Sequence, residues 1–435
     1  EAEKLKNYTK AIDLYESILI LENERIIRDK KSGKNKKYWY QHPARFTLIN
    51  LARLYKRQAI YDKAETLYLR LLSIDKKAIG PETPYTASTL MNLANIYEAQ
   101  GNYSKTGSTL MDLANVYEAQ GNYSKAESTY LRALSIKEKT LGPEHAGIGK
   151  VLSKLALIYS IKGLYNKAEP LLLRAISITE KTVGPEHPDT AILLTNLALT
   201  YQYQGKLSKA ETLYLRALSI TEKTLGTKHH KIRFILGNLA SLYSSYGLFS
   251  KAESLYLRAL SITEKTVGPD HPDTAAFLGW LANLYSKQGL YNKAESLYLR
   301  ALSITEKTLG PDHPETAARL KGLAITYHIQ GIFNKAEPLY LRALSIEEKT
   351  LGPEHHFTSN TLNSLASLYT DQEQYRKAEP LLLRAISISE KVLGAEHQDT
   401  SIYIGNLALN YSSQGLYEKA IPLLLRSQKI QITFI

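Results

Sequence analysis

The sequence predicts an all-α solenoid, built from stacked antiparallel helix pairs. The first observation is a repeat, since Lys-Ala-Glu begins at Lys125 and recurs every 42 residues up to Lys377. A period of roughly 20 to 50 residues is typical of arrays in which each unit buries its apolar face only against its neighbours. The second observation is the helical spacing of apolar residues within each unit. Both indicate one elongated repeat domain rather than the roughly three domains that this length would otherwise suggest.

The first helix of a unit is represented by residues 274–285. Apolar side chains fall at Ala275, Leu278 and Tyr285, which is the spacing of a helix with one buried face. Gly289 then ends the pattern, because glycine readily adopts the left-handed backbone that commonly closes a helix.

A second helix follows this glycine. Tyr291, Ala294, Tyr298 and Ala301 fall on one face. The small alanines let two helices approach closely, and the tyrosines fill the space beside them. The loop at 309–314 ends the unit, because its glycine and prolines interrupt a helix.

Tyrosine is abundant, with 31 residues, but its placement argues against stacking on nucleic-acid bases. One position of successive units holds a tyrosine each time, which predicts a role in helix packing. These residues are Tyr55, Tyr97, Tyr117, Tyr159, Tyr201, Tyr243, Tyr285, Tyr327, Tyr369 and Tyr411.

These positions resemble the tetratricopeptide repeat. Leu281, Ala282, Gly289, Ala294 and Ala301 fall on that family's pattern of small and large residues. The 42-residue unit and its loop, Gly-Pro-Asp/Glu-His-Pro-Asp-Thr, are similar to the kinesin-light-chain type, a style that also occurs in bacterial, including cyanobacterial, multidomain proteins. The resemblance covers nearly the whole chain and implies a right-handed superhelix of about nine paired-helix units.

One irregular unit interrupts the array at about residues 86–125. Residues 88–105 recur almost unchanged as 108–125, an offset of 20 rather than 42, so a second helix and its loop are missing between the two copies. We expect residues 106–119 to form a helix where the stack requires a different partner. We therefore predict a local defect or bend in the superhelix.

The N-terminal residues 1–62 form a divergent repeat that precedes the tandem array of residues 63–435. They hold a basic insertion at about 25–40, which leads into Tyr38-Trp39-Tyr40. A basic run beside aromatic residues could contact nucleic acid or an anionic surface. The alternative is a solvated loop whose aromatic residues cap the first repeat.

Composition excludes several classes of site. The chain has no cysteine, which excludes disulfides, thiolate metal sites and cysteine nucleophiles. Its apolar runs stop short of the ~18 residues that a membrane-spanning helix needs, and its first residues lack a secretory core. We therefore expect a cytoplasmic protein and interpret the chain as a segment of a longer or processed one. The net charge of +13 favours acidic partners.

One histidine recurs in each loop, at His145, His187, His229, His271, His313, His355 and His397. Equivalent loops of a helical stack lie roughly 16–20 Å apart, too far for two histidines to share a metal, so we expect each to hydrogen-bond within its own turn. The nearby serine and aspartate residues are copied along the array too, which argues against a catalytic triad. No phosphate-binding loop is present. We expect no enzymatic activity, no cofactor and no metal.

The remaining candidate site is the concave groove. In tetratricopeptide arrays the first helix of each pair lines this groove, and the resemblance places the residues beside each Leu-Ala pair in it. Together with nearby Lys150, the peptide-binding candidates are Asn50, Arg53, Asn92, Asn95, Asn115, Lys154, Asn196, Asn238, Trp280, Asn283 and Asn406. At matching positions Leu199, Gly322, Ile325 and Leu409 make the C-terminal half less polar.

These residue types suit the capture of an extended peptide. A carboxamide offers both a donor and an acceptor, so a ladder of asparagines can hold a peptide backbone whatever its sequence. Trp280 would add an aromatic anchor, and Arg53, Lys150 and Lys154 would favour acidic residues. The alternative is that each asparagine only satisfies the neighbouring helix.

The sequence thus predicts a protein-interaction scaffold for an acidic or aromatic-acidic peptide, with neither membrane nor nucleic acid as its partner. By resemblance to kinesin light chain, the ligand would be a cargo or adaptor motif. A second hypothesis is a regulatory or sensor segment of a larger enzyme or signalling protein. A third is nucleic-acid binding through the basic insertion, and a fourth is a spacer without a groove ligand.

Overall fold

The computed structural model describes residues 10–21, 43–78 and 80–432, and within these ranges the regular secondary structure is entirely helical. The chain forms two compact units, Glu1–Ile158 (unit 1) and Tyr159–Ile435 (unit 2). None of the described helices is long and apolar enough to cross a membrane. The predicted all-α solenoid of helix pairs is confirmed. The basic insertion at 25–40 lies outside the described residues.

Unit 1 begins with a helix over residues 10–21 (α1). Its further helices are α2 (Pro43–Arg57), α3 (Tyr61–Ala78), α4 (Pro84–Ala99), α5 (Tyr103–Ala119) and α6 (Tyr123–Leu141), and α7 (Ala146–Ile161) crosses the boundary between the units. The core of the α2–α3 pair contains Leu48, Ala52, Ala64 and Tyr68, all fully buried or nearly so. The two alanines bring the helix axes close enough for the larger side chains to interlock.

Unit 2 alternates two kinds of helix. The first helices of its pairs are α9 (Pro188–Tyr203), α11 (Ile232–Ser245), α13 (Pro272–Lys287), α15 (Pro314–Ile329), α17 (His356–Asp371) and α19 (Gln398–Ser413). The second helices are α8 (Tyr165–Val183), α10 (Leu207–Leu225), α12 (Phe249–Val267), α14 (Tyr291–Thr308), α16 (Phe333–Thr350), α18 (Tyr375–Val392) and α20 (Tyr417–Ile432). From α8 to α18, each second helix packs against the first helix that follows it.

The α13–α14 pair shows why these residues form a pair. Ala282, Ala294 and Ala301 are fully buried where the two helices cross, as the pattern predicts. Gly289 turns the chain between the helices with a φ of 74°, a left-handed conformation that costs other residues energy because of their Cβ atom.

The recurring histidine caps the helix that follows it. The Nδ1 atoms of His187, His271 and His313 each accept the backbone N–H two residues later at 3.1 Å. The same bond, at 3.0–3.2 Å, is formed by His145, His229, His355 and His397. Such a cap satisfies one of the N–H groups that the first turn of a helix leaves without a partner. The predicted hydrogen bond within each turn is confirmed.

A ladder of tyrosine, glutamate and lysine joins consecutive repeats of unit 2. The hydroxyl of Tyr285 on α13 donates to Glu253 of the preceding second helix at 2.7 Å, and Lys293 lies over the tyrosine ring at 5.2 Å. Equivalent hydroxyl–glutamate bonds of 2.5–3.2 Å recur in successive repeats, from Tyr201 to Tyr411. The Lys-Ala-Glu phrase is therefore repeated because its lysine and glutamate hold the tyrosines of two different first helices.

Removing one hydroxyl from this ladder should have a measurable cost. Tyr285→Phe is expected to destabilise the adjoining repeats by about 0.5–1.5 kcal/mol, because Tyr285 is buried and Glu253 loses a hydrogen bond. Urea unfolding followed by the fluorescence of Trp280 measures the change. Tyr117→Phe is the matched control, since the hydroxyl of Tyr117 forms no hydrogen bond with any described residue. An equal loss in both variants would contradict the role of the bond.

A second ladder connects consecutive second helices of unit 2. Arg216 pairs with Glu180 at 2.8 Å, and Arg258 pairs with Glu222 at 2.5 Å. The pattern continues to the Arg426–Glu390 pair on α20 and α18. These pairs are partly exposed, so each contributes at most about 1 kcal/mol to the stack.

In the irregular unit, two neighbouring helix pairs share one helix, α5. α5 is continuous and packs against both α4 and α6, with Leu90, Leu110, Leu113 and Ala133 in one cluster. It therefore acts as the second helix of one pair and the first helix of the next. Residues 106–119 lie within it, as predicted, whereas the bend that we predicted there stays a prediction.

Candidate functional site

A cavity of about 300 Å³ opens in unit 2 among α9, α11, α12 and α13. Three of the sequence-predicted residues, Asn238, Trp280 and Asn283, line this cavity together. The remaining lining residues are Leu199, Gln202, Tyr203, Gly237, Ser241, Ser244, Tyr256, Leu284 and Lys287. The cavity thus combines carboxamides and hydroxyls with three aromatic rings and one lysine.

Trp280 forms the apolar wall of this cavity. Its indole meets Phe277 edge-on at 4.8 Å and lies 6.5 Å from the ring of Tyr256. Gly237 is required opposite the indole, because a Cβ atom there would approach the tryptophan ring to 2.8 Å. The indole is half-buried, so one side packs in the fold and the other side remains accessible.

The two asparagines of the cavity keep their amide groups accessible. Asn238 is half-buried and Asn283 is exposed, and neither side chain forms a hydrogen bond with any described residue. Lys287 is exposed one turn beyond Asn283. Two amides and a cation therefore face the cavity with unused hydrogen-bonding capacity.

Four further polar residues of this cavity were not predicted from the sequence. Gln202, Ser241, Ser244 and Lys287 line it as well. Gln202, Ser244 and Lys287 lie one helical turn after the predicted groove positions, so extending the predicted face by three or four residues would have found them. Polar residues at exposed helix positions otherwise resemble ordinary surface.

The other candidates of unit 2 are more engaged with the fold. The side-chain N–H of Asn406 donates to Oδ1 of Asn363 at 2.8 Å. This bond to the neighbouring helix is the structural role that the sequence left open. Asn196 is half-buried on α9 and also has a partner. At the matching position of α15, Gly322 leaves room for the ring of Tyr298, which a Cβ atom would approach to 2.4 Å.

The candidates of unit 1 lie on first helices and on α5. Asn115 accepts the hydroxyl of Tyr130 at 2.6 Å, and Lys154 lies 3.2 Å from Glu118. Arg53 is exposed beside Tyr68, and its charge partly offsets the rise that burial causes in the pKa of that tyrosine. Lys150 is exposed on α7. The half-buried residues are Asn50 on α2 and Asn92 and Asn95 on α4.

Two buried ion pairs stand at a position where α10, α12 and α14 each bury a threonine. Glu347 of α16 lies 3.7 Å from Lys321 of α15 and is almost fully buried. Asp75 of α3 is fully buried and accepts Arg45 at 2.9 Å and the hydroxyl of Thr89 at 2.7 Å. Burial raises the pKa of Glu347 and lowers that of Lys321, which indicates an incompletely compensated pair.

Acid should destabilise unit 2 through His356, which lies near Lys321. Burial lowers the pKa of His356 to about 3, and the positive charges of His355, Lys321 and His397 add to this effect. The folded chain keeps this imidazole neutral, whereas the unfolded chain protonates it near pH 6.5. The neutral imidazole therefore contributes its full share to the free energy of unfolding above about pH 6.5. This contribution is lost as the pH falls from about 6.5 toward about 3, by at most about 1.4 kcal/mol per pH unit.

Urea unfolding at about pH 7 and about pH 5 measures this loss. His356→Gln removes the titrating group, and glutamine suits the position because Gln398 occupies it in the next repeat. The variant is expected to lose less stability on acidification than the wild type. The same pH dependence in both proteins would assign the effect to other groups.

Similarity to known proteins agrees with the repeat and its geometry. The tetratricopeptide repeat model matches residues 44–105, 106–181, 147–223, 189–265, 273–349, 330–391 and 357–432. No curated protein sequence matched the chain. Within the described residues, no group of three histidine, aspartate or glutamate side chains could hold a metal ion.

Three solved structures show the range of the similarity. A Rap protein complexed with competence and sporulation factor is 14% identical over 90% of this chain and 98% of its own, with a TM-score of 0.54. The Rap conjugation regulator of plasmid pLS20, in complex with the Phr* peptide, is 16% identical over 80% and 96%, with a TM-score of 0.53. A kinesin-light-chain protein of Podosopora anserina with nearly identical TPR-like repeats is 29% identical over 47% and 98%, with a TM-score of 0.40.

At their low identities the two Rap structures support the fold alone. The repeat model covers most of the described chain. This chain is similar in sequence to the kinesin-light-chain protein over about half of its length, and it belongs to the tetratricopeptide repeat family.

Proposed function

We propose that this chain is a non-enzymatic scaffold that captures an extended acidic or aromatic-acidic peptide in the groove of unit 2. Its repeat architecture is that of a protein-interaction scaffold. The observation that carries the finer proposal is the convergence of Asn238, Trp280 and Asn283 on one cavity. A peptide would place its backbone against the two carboxamides and one aromatic or apolar side chain against the indole.

The charge of the cavity supports an acidic ligand. Lys287 is the one charged residue that lines it within the described chain. An acidic side chain of the peptide would therefore meet a cation without a competing carboxylate, and the net charge of +13 would accelerate association. The two Rap structures similar to this chain each contain a bound peptide or factor, which supports peptide capture by this architecture.

Fluorescence anisotropy with labelled peptides tests the proposal. The panel holds acidic peptides centred on Trp or Tyr, scrambled versions and basic controls, each at low and physiological salt. The Asn238→Ala, Trp280→Ala, Asn283→Ala triple variant is expected to weaken selective binding by roughly 30-fold or more, because loss of a buried aromatic anchor typically costs about 2 kcal/mol or more. Asn406→Ala is the matched control, since Asn406 occupies the same repeat position outside the cavity.

Two results would contradict the proposal. Binding that follows peptide charge alone and is unchanged in the triple variant would place recognition outside this cavity. A steep salt dependence of oligonucleotide affinity would instead favour nucleic acid as the partner.

A further inference from the structure

The outer face of α20, the second helix of the pair that α19 begins, is apolar and uncovered. We define this α20 face by Tyr417, Ile421, Leu424, Leu425 and Ile432, whose exposed fractions are 63%, 54%, 48%, 62% and 63%. These residues recur at helical spacing along one side, opposite the buried side of the same helix, which holds Ala420, Ser427 and Ile430. No described residue packs over the α20 face as a first helix packs over the other second helices.

Comparison with the other second helices shows what such a face normally receives. Tyr256, Tyr298 and Tyr340 occupy the position of Leu424 in α12, α14 and α16, and they are 0–6% exposed because the next first helix covers them. Because α20 is the last described helix, its outer face would be exposed whatever residues it carried. What distinguishes α20 from the other second helices is the identity of its residues.

Both inter-repeat ladders are changed on α20. Ile421 stands where Glu253 accepts the next tyrosine, and Ile432 stands where Glu264 accepts the next arginine. These two substitutions remove the acceptors by which the preceding second helices hold a following repeat. They replace two charged positions with isoleucine, so the α20 face is suited to an apolar partner rather than to another repeat of the same kind.

We propose that the α20 face binds the α20 face of a second copy of this chain in an antiparallel helix pair. The face is self-complementary about a point between Leu424 and Leu425. These leucines then pack against each other across the two-fold axis, and Tyr417 of each copy meets Ile432 of the other.

Charge complementarity selects the antiparallel orientation. Glu418 lies near the N-terminal end of α20 and Lys429 near its C-terminal end, and both are exposed. An antiparallel pair brings the Glu418 end of one copy to the Lys429 end of the other and aligns the helix dipoles favourably. A parallel pair would place like charges side by side.

Sedimentation velocity over a range of concentrations tests the association. The wild-type chain is expected to form a reversible dimer. Restoring the repeat's own residues with Ile421→Glu and Ile432→Glu should raise the dimer dissociation constant roughly tenfold or more, because four charges would be buried in the interface. Leu257→Glu is the matched control, since Leu257 is 45% exposed at the position of Leu425 in α12 and should leave the dimer unchanged.

The absence of cysteine from the chain allows a second test of the orientation. Tyr417→Cys and Ile432→Cys proteins, mixed and oxidised, should form a disulfide-linked heterodimer. Ile432→Cys alone should not crosslink, because an antiparallel pair separates the two copies of that residue by about 22 Å along the helix axis. This test does not require the glutamate variant to fold.

Three outcomes would overturn the proposal. They are a wild-type chain that stays monomeric at high concentration, a dimer that survives the two glutamates, and crosslinking of Ile432→Cys with itself. The first would leave the α20 face to a different partner, and the second would place the dimer contact elsewhere.

Discussion

Replacing Lys321 with methionine is expected to destabilise the surrounding repeats by about 3–5 kcal/mol, because it leaves Glu347 without a counter-ion in the core. The glutamate side chain is 4% exposed, and one of its carboxylate oxygens has no hydrogen-bond partner among the described residues. Methionine keeps the length and helix propensity of lysine, so the loss of charge is the main change. Urea unfolding followed by Trp280 fluorescence, in a Trp39→Phe background, measures the effect near this pair.

The double variant Lys321→Met, Glu347→Thr provides the decisive control. Thr263 and Thr305 are buried at the position of Glu347 in the preceding second helices, so threonine fits the site. The pair is separated by 3.7 Å and poorly satisfied, so the double variant is expected to match the wild type or exceed it by about 1–4 kcal/mol. A double variant as unstable as Lys321→Met would show that the lysine stem, rather than the charge pair, stabilises the core.

Replacing Arg45 with methionine is expected to cost unit 1 a similar amount, about 3–5 kcal/mol, because Asp75 is fully buried. The geometry of this pair differs from that of Lys321 and Glu347. Asp75 accepts two bonds from the arginine, at 2.9 and 3.4 Å, and one from Thr89 at 2.7 Å. Hydrogen exchange of amides in α3 and α4 reports the local loss.

The matched control is Arg45→Met, Asp75→Thr. It removes the unpaired charge but also three hydrogen bonds, each contributing about 0.5–3 kcal/mol, so recovery should remain incomplete. The two cycles are therefore expected to differ in sign: the well-satisfied pair of unit 1 stabilises the fold, and the poorly satisfied pair of unit 2 does not. Full recovery in unit 1 would contradict this distinction.

The repeat period and the spacing of apolar residues predicted the helices, their pairing and their buried tyrosines and alanines. Residues 274–285 lie within α13, and Ala282, Ala294 and Ala301 are buried as the pattern predicts. A helix is fixed by contacts within a few residues, and a repeated period carries the same information many times. The candidate groove was predicted in part for the same reason, since Asn238 and Trp280 occupy equivalent positions of successive repeats and Asn283 follows Trp280 on the same helix.

Which side chains meet across the repeats became clear only from the way the helices stack. Glu295 reads as a surface residue in the sequence, yet it accepts a bond from Tyr327, 32 residues later. Lys321 and Glu347 were not predicted to pair, and α5 packs on two sides because its neighbours stack there. Such contacts depend on which helices lie side by side and on the space between them, as at Gly237 beneath Trp280. Local periodicity fixes each helix, whereas only stacking fixes its partners.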